Sequence, residues 1–118
     1  MSADRVTFGR AVRQARKGLG LSQKDLAARV MKEEGGPISP QYLNDIEQDR
    51  RSPSSGHLIR QFSGILGLPA DYLFALAGRL PDDLRFEAAS PNEVASAFAA
   101  FRRAIGSRTS DRVGHQTD

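Results

Sequence analysis

The sequence of 118 residues has no cysteine. That excludes disulfides, thiol nucleophiles, iron–sulfur clusters and every cysteine-based zinc site. Histidine is nearly absent too: there are only His57 and His115, the second in a polar tail. A zinc site or a Ser-His-Asp triad would therefore have to be built on His57. No metal-ligand spacing appears, and Gly35-Gly36 lacks the following Gly-Lys-Ser/Thr of a phosphate loop. No apolar run reaches the roughly 18 residues that suggest a membrane span. No signal peptide is visible, because charge is scattered through residues 1–20. That stretch is Arg-rich with Asp4 as its one acid, a faint transit-peptide composition, but it reads better as an integral first helix. The expectation is a cytoplasmic protein with no metal, no cofactor and no catalytic machinery. Glu33-Glu34 and Asp82-Asp83 read as solvated charge, and His57 as a surface or capping residue.

What is present is an ordinary soluble composition, 39% hydrophobic and 26% charged, in a length that fits one small domain and an appendage. Such a core is modest, so pairing with a second copy would add stability. The net charge of +3 is small, but it is unevenly spread. Residues 1–60 hold 11 Lys and Arg against 7 Asp and Glu, whereas residues 61–118 hold 6 against 7. An anionic partner is expected at the front, although a merely solvated basic surface would look the same.

The hydrophobic pattern is helical throughout, with no useful strand alternation and no internal repeat. A first helix runs from about Thr7 to Lys17, with Phe8, Ala11, Val12, Ala15 and Leu19 in one sector and Arg10, Arg13 and Lys17 opposite. Gly18 and Gly20 offer a positive-φ stop. A second helix starts at Ser22 with Asp25 three residues on, buries Leu26, Ala27 and Val30, and ends within Met31–Glu34. A third starts at Ser39-Pro40 and reaches about Gln48. A fourth spans about Ser55 to Leu66 and a fifth about Ala70 to Ala77. After a linker, Ser90-Pro91-Asn92-Glu93 is a full capping box for a sixth helix, about Pro91 to Ile105. The layout is a domain over 1–80, a linker and C-terminal helix over 81–106, and a disordered tail over 107–118.

Two side chains on this layout conflict with simple burial. Glu47 falls about 40° from Leu43 on the helical wheel, on the inward face of the third helix. An inward carboxylate is costly unless paired. Arg16 flanks the apolar stripe of the first helix and is its expected partner. The bland alternative is a frayed helix end with Glu47 in solvent. On the opposite face of the third helix lie Gln41, Asn44, Asp45 and Gln48. Amides there suit bidentate readout of adenine edges, but ordinary surface Gln and Asn explain them as well.

The order of motifs along the chain is informative. The segments FGRAVRQARKGLGLSQKDLAARV, ISPQYLNDIEQDRRSPS and LIRQFSGILGLPADYLFALAGRLPDDL together resemble the Cro/C1-type (Xre-family) helix-turn-helix domain of phage repressors and bacterial regulators. The resemblance runs from Phe8 to Arg79. It implies an all-α fold: a five-helix, lambda repressor-like helix-turn-helix domain, here followed by a C-terminal helix. It implies binding to a double-stranded DNA operator. It implies base-reading roles for Gln41, Asn44 and Asp45, with Gln48 beside them on the same face. It implies phosphate or backbone contacts for Gln23, which would also brace the recognition helix, and for Tyr42, Arg50 and Arg51. Ser39, at the helix N-terminus, joins that set. Arg16 and Glu47 match an internal ion pair of the family. The turn Met31–Ile38 is longer than the family's tight turn, which leaves open an extended second helix or a loop that touches DNA or protein. Asp45 is open to two roles, accepting from cytosine N4 or holding a nearby Arg.

One such domain reads few bases, so useful specificity calls for a pair. In the sixth helix Val94, Phe98, Phe101 and Ile105 are spaced 4, 3 and 4 apart, a narrow coiled-coil-like seam that fits a homodimer. The alternative is a seam folded back on its own domain. The expected function is a dimeric transcriptional repressor. The competing reading is an antitoxin, or another regulator that binds a partner protein as well as DNA.

Overall fold

Short helices with side-chain caps at most N-termini account for nearly all regular structure. The computed structural model describes residues 5–106, so His115 and the tail at 107–118 lie outside the described residues. Six helices follow in order: α1 (Phe8–Gly18), α2 (Gln23–Arg29), α3 (Pro40–Glu47), α4 (Gly56–Leu66), α5 (Ala70–Leu76) and α6 (Pro91–Ile105). Thr7, Ser22, Ser39, Ser55 and Ser90 each accept a hydrogen bond from an N–H of the first turn they precede. At α2 and α6 the box is reciprocal, with Asp25 and Glu93 returning to the cap N–H. The two hydrogen bonds with Ser22, from its backbone N–H first and its hydroxyl second, hold the Asp25 carboxyl below its ordinary pKa. Among the described residues, no helix is long and apolar enough to cross a membrane.

Packing divides the chain into two units, Met1–Asp82 and Asp83–Asp118. The first contains α1 to α5. Its core joins Val12 of α1, Leu26 of α2 and Val30 just after it, Leu43 and Ile46 of α3, Ile59 and Phe62 of α4, and Leu73 and Phe74 of α5, all at most 1% exposed. Phe8 meets Phe62 edge-on, with centroids 5.9 Å apart, the orientation that ring quadrupoles favour. Burial of each such side chain contributes roughly 1.5–3 kcal/mol. In the second unit α6 buries no residue, and Phe98 stacks on Phe86 at 6.4 Å.

Three local features depart from the sequence expectation. Leu19 is placed by the wheel in the apolar sector of α1, yet it is 55% exposed. The helix closes at Gly18, Leu19 is already its C-cap, and Gly20 turns the chain at φ +72°. Second, α2 ends at Arg29 rather than within Met31–Glu34, because Val30 is extended. Third, the long turn is neither helix nor open loop. Ile38 N–H donates to the Val30 carbonyl at 2.9 Å and Lys32 N–H to the Gly36 carbonyl at 2.9 Å, and Met31 and Pro37 form an antiparallel bridge. Gly35 and Gly36, at φ +105° and +81°, reverse the chain where a side chain would be strained. The base of this small hairpin is fastened to α4. Met31 N–H donates to Gln61 Oε1 at 3.0 Å, and His57 Nε2 donates to the Met31 carbonyl at 3.0 Å.

The contact of α1 with α3 is close because Gly9 has no side chain. A Cβ there would collide with the Ile46 carbonyl oxygen and lie 2.7 Å from that of Glu47. Asp49 completes the junction. It stands at φ 60°, a left-handed conformation that Asp tolerates better than most residues. Its carboxylate accepts from Gly9 N–H at 3.0 Å and from the Thr7 hydroxyl at 2.6 Å. A negative charge thus sits at the N-terminus of α1, the favourable end of the helix dipole.

Candidate nucleic-acid interface

The candidate interface is built on α3, whose two faces are treated oppositely. Leu43, Ile46 and Glu47 point into the domain. Arg16 grips Glu47 with two parallel bonds, Nε to Oε2 at 2.7 Å and Nη2 to Oε1 at 2.9 Å, the fork geometry that suits a carboxylate. The third donor, Nη1, reaches the Leu21 carbonyl at 2.9 Å and so ties the α1–α2 turn to the same pair. Arg16 is 8% exposed and Glu47 4%, so the pair is buried rather than frayed. Its hydrogen bond to Glu47 raises the Arg16 pKa above the ordinary arginine value.

Gln23, in the first turn of α2, extends the network. Its Nε2 donates to Glu47 Oε1 at 2.9 Å and to Asn44 Oδ1 at 3.1 Å. This is a physical brace between α2 and α3, in addition to the apolar contacts of Leu26 with the core.

The outer face carries Gln41 and Gln48, both exposed, and Asn44 and Asp45, both half-buried. Asp45 is not an isolated acid. Its Oδ1 accepts from Arg50 Nη2 at 3.0 Å and Nε at 3.2 Å, and from Gln41 Nε2 at 3.1 Å. Of the two roles left open for Asp45, the structure displays the grip on Arg50. The Arg50 side chain remains 56% exposed. Arg51 lies over the Tyr42 ring, 5.0 Å from its centroid, a cation–π contact. The Tyr42 hydroxyl accepts from Ser54 N–H at 3.1 Å. Ser39 Oγ is occupied by Tyr42 N–H as the cap of α3. Beside this end of α3 an open groove of about 620 Å³ is lined by Lys32, Glu34, Ser39, Tyr42, Arg51 and Ser55 among others, so the hairpin borders the candidate surface.

The first unit therefore brings together Gln41, Asn44, Asp45, Gln48, Gln23, Ser39, Tyr42, Arg50 and Arg51 around one helix. The remaining candidates belong to α6, where Val94 and Phe98 are half-buried and Phe101 and Ile105 are 55% and 64% exposed. Sequence reasoning missed Asp49 and Gly9, which set how α1 meets α3. The signal available was Asp49 at a helix end, where left-handed residues occur. Its partner Thr7, 42 residues away, leaves no local trace. Among the described residues, no cluster of His, Cys, Asp and Glu could hold a metal.

No curated protein sequence matches the chain. By structure it aligns with a chain of a solved SinR protein/SinI protein complex at a TM-score of 0.47 and 18% identity, over 94% of this chain and 95% of that one. The family model described as helix-turn-helix matches residues 12–73, which spans α1 from Val12 through most of α5. With more than half of its length matched, and with α2 and α3 joined as described, the chain belongs to the Cro/C1-type (Xre) helix-turn-helix family of DNA-binding transcriptional regulators.

Proposed function

We propose that the chain is a dimeric repressor that reads an inverted-repeat operator with α3 in the major groove. The observation that carries this reading is the division of α3 into an anchored face and an accessible one. The Arg16–Glu47–Gln23 network holds the helix from behind, while Gln41, Asn44, Asp45 and Gln48 are left along the front. A helix so held can enter a groove without giving up its packing. In this reading those four residues meet base edges. Gln23, Ser39, Tyr42, Arg50 and Arg51 meet phosphates and set the register. Each good base contact discriminates by roughly 1–3 kcal/mol. One domain of this size gains little specificity alone, and two on a dyad would read half-sites about one helical turn apart.

The dyad would come from α6. Its seam Val94, Phe98, Phe101 and Ile105 is only partly covered, and it ends in two strongly exposed apolar side chains. The same exposure supports the second reading, in which a partner protein occupies the seam.

Two measurements test the proposal. Gln41→Ala or Asn44→Ala should weaken binding to the cognate operator far more than to random duplex, whereas Arg50→Ala should weaken both and flatten the salt dependence. Equal losses on both DNAs for all three variants would remove the base-reading assignment. By light scattering the protein should have dimer mass, and Phe98→Asp with Phe101→Asp should give a monomer. A wild-type monomer would leave α6 to a partner protein, and an unchanged mass in the double variant would move the dimer interface elsewhere.

A further inference from the structure

The buried ion pair dictates which way an amide on the DNA-facing surface points. Glu47 sets the direction. An ionised carboxylate only accepts hydrogen bonds, and Glu47 already takes two from Arg16. Gln23, 2.9 Å from Glu47 Oε1, must therefore face it with its NH2 group. The same Nε2 carries a second N–H, which goes to Asn44 at 3.1 Å. That contact requires an acceptor, so Asn44 turns its Oδ1 toward Gln23. Its Nδ2 is left pointing the other way. Among the described residues Nδ2 has no hydrogen-bond partner, and no buried side-chain nitrogen lacks one, so Nδ2 reaches the surface.

We infer that Asn44 reads guanine, and that Gln23 is the positioning residue that makes it do so. The inference deepens the operator-reading proposal and rests on it. An asparagine that reads adenine uses both ends of its amide, accepting from N6 and donating to N7. Here Oδ1 is turned toward Gln23 and gives it one lone pair, so the end presented outward is the NH2 group with its two donors. Guanine answers that with two adjacent acceptors, N7 and O6. Cytosine presents a donor, N4, and adenine sets its N6 donor beside N7. Thymine offers one acceptor, O4, beside a methyl group.

Gln41 provides an internal contrast. Asp45, also an acceptor only, draws its NH2 along the outer face at 3.1 Å. Gln41 is exposed, its bond links residues four apart on the helix surface, and such pairs hold weakly. Gln41 thus remains free to rotate, whereas Asn44 is linked through Gln23 to a pair buried in the core.

The test is selection of binding sites from a randomised duplex pool by wild-type full-length protein, Asn44→Ala, Gln41→Ala and Gln23→Met. Asn44→Ala identifies the position that Asn44 reads as the one whose preference disappears. In the wild-type set that position should be a G·C pair, preferred over A·T by about tenfold, as expected for one good base contact. Replacement of its guanine with 7-deazaguanine should remove most of that preference. Gln23→Met should cut the preference to threefold or less and admit A·T there, while the position sensitive to Gln41→Ala keeps its base. A wild-type A·T pair at the Asn44 position would overturn the inference and leave base reading intact. A Gln23→Met protein with an unchanged G·C preference would overturn the role of Gln23. If Asn44→Ala flattens no position, base reading at Asn44 fails, and the inference fails with it.

Discussion

Glu47 and Asp45 stand two residues apart on the same helix, and each carboxylate holds an arginine. Glu47 is 4% exposed and its arginine 8%. The Asp45 side chain is 21% exposed and that of Arg50 56%. The chemistry of the two pairs is alike, but their surroundings assign them different work. In the interior the charges have lost water, and each depends on the other. Breaking such a pair strands an uncompensated charge. At the surface water screens both partners and takes over when one is lost. The helix therefore has a rigid attachment on one side and an adjustable charge on the other. Arg50 can leave Asp45 for water, but Arg16 has no substitute for Glu47.

The sharpest way to break this contrast is to remove Glu47. Glu47→Ala leaves the Arg16 guanidinium and the Gln23 amide without their shared acceptor. The expected loss is about 3–5 kcal/mol, a large part of the roughly 5–15 kcal/mol that holds a typical native protein. Urea unfolding followed by circular dichroism would measure it. A loss below about 1 kcal/mol would mean that the pair behaves like a surface pair. Arg16→Met with Glu47→Leu should recover much of the loss, because an apolar pair of similar volume removes the stranded charge. Those residues would not restore the direction of Asn44, so the double variant separates stability from base preference.

Gly9→Ala attacks the same attachment from the other side. The added methyl meets backbone carbonyls rather than a flexible side-chain end, so α1 and α3 must separate. A loss of about 1–3 kcal/mol is expected, as for an overpacked site. In an exposed helix interior the same change would instead stabilise, by up to about 1 kcal/mol. Gly18, near the exposed end of α1, is the matched control, because a methyl added there would find nothing within 4 Å. Equal melting shifts for the two substitutions would show that the α1–α3 approach is not what Gly9 provides.

How much of this can be read in the sequence follows from the range of the interactions. The capping boxes at Ser22 and Ser90 are local, three residues wide, and the sequence spells them out. The approach of Arg16 to Glu47 spans 31 residues, yet it is legible because each side chain violates the pattern of its own helix. The hairpin at Val30–Ile38 is not. A single bridge is too short to show a period of two, and the same glycines would serve an open loop. Leu19 misleads because a wheel extends a helix past its real end. Family resemblance implies roles for Gln23, Asn44 and Asp45, but not the direction of any hydrogen bond. Those directions follow from which atoms can only accept, once the distances are known.

The smallest effect on folding should come from Asp45. Asp45→Ala removes the surface partner of Arg50 and Gln41, and the expected change in stability is below about 1 kcal/mol in the same urea experiment. Its effect on DNA should be larger and of opposite character. The released Arg50 is a cation without its counter-charge, and the groove face loses a negative charge. Binding to random duplex should therefore strengthen, with a steeper dependence on salt, while the preference for the operator over random duplex falls. Asp45→Asn keeps the shape and an acceptor for Arg50, and should lie between wild type and Asp45→Ala. A loss of stability comparable to that of Glu47→Ala would erase the distinction between the two faces of α3. A weaker grip on random duplex would show that Asp45 contributes an attractive contact to DNA, not a restraint on Arg50.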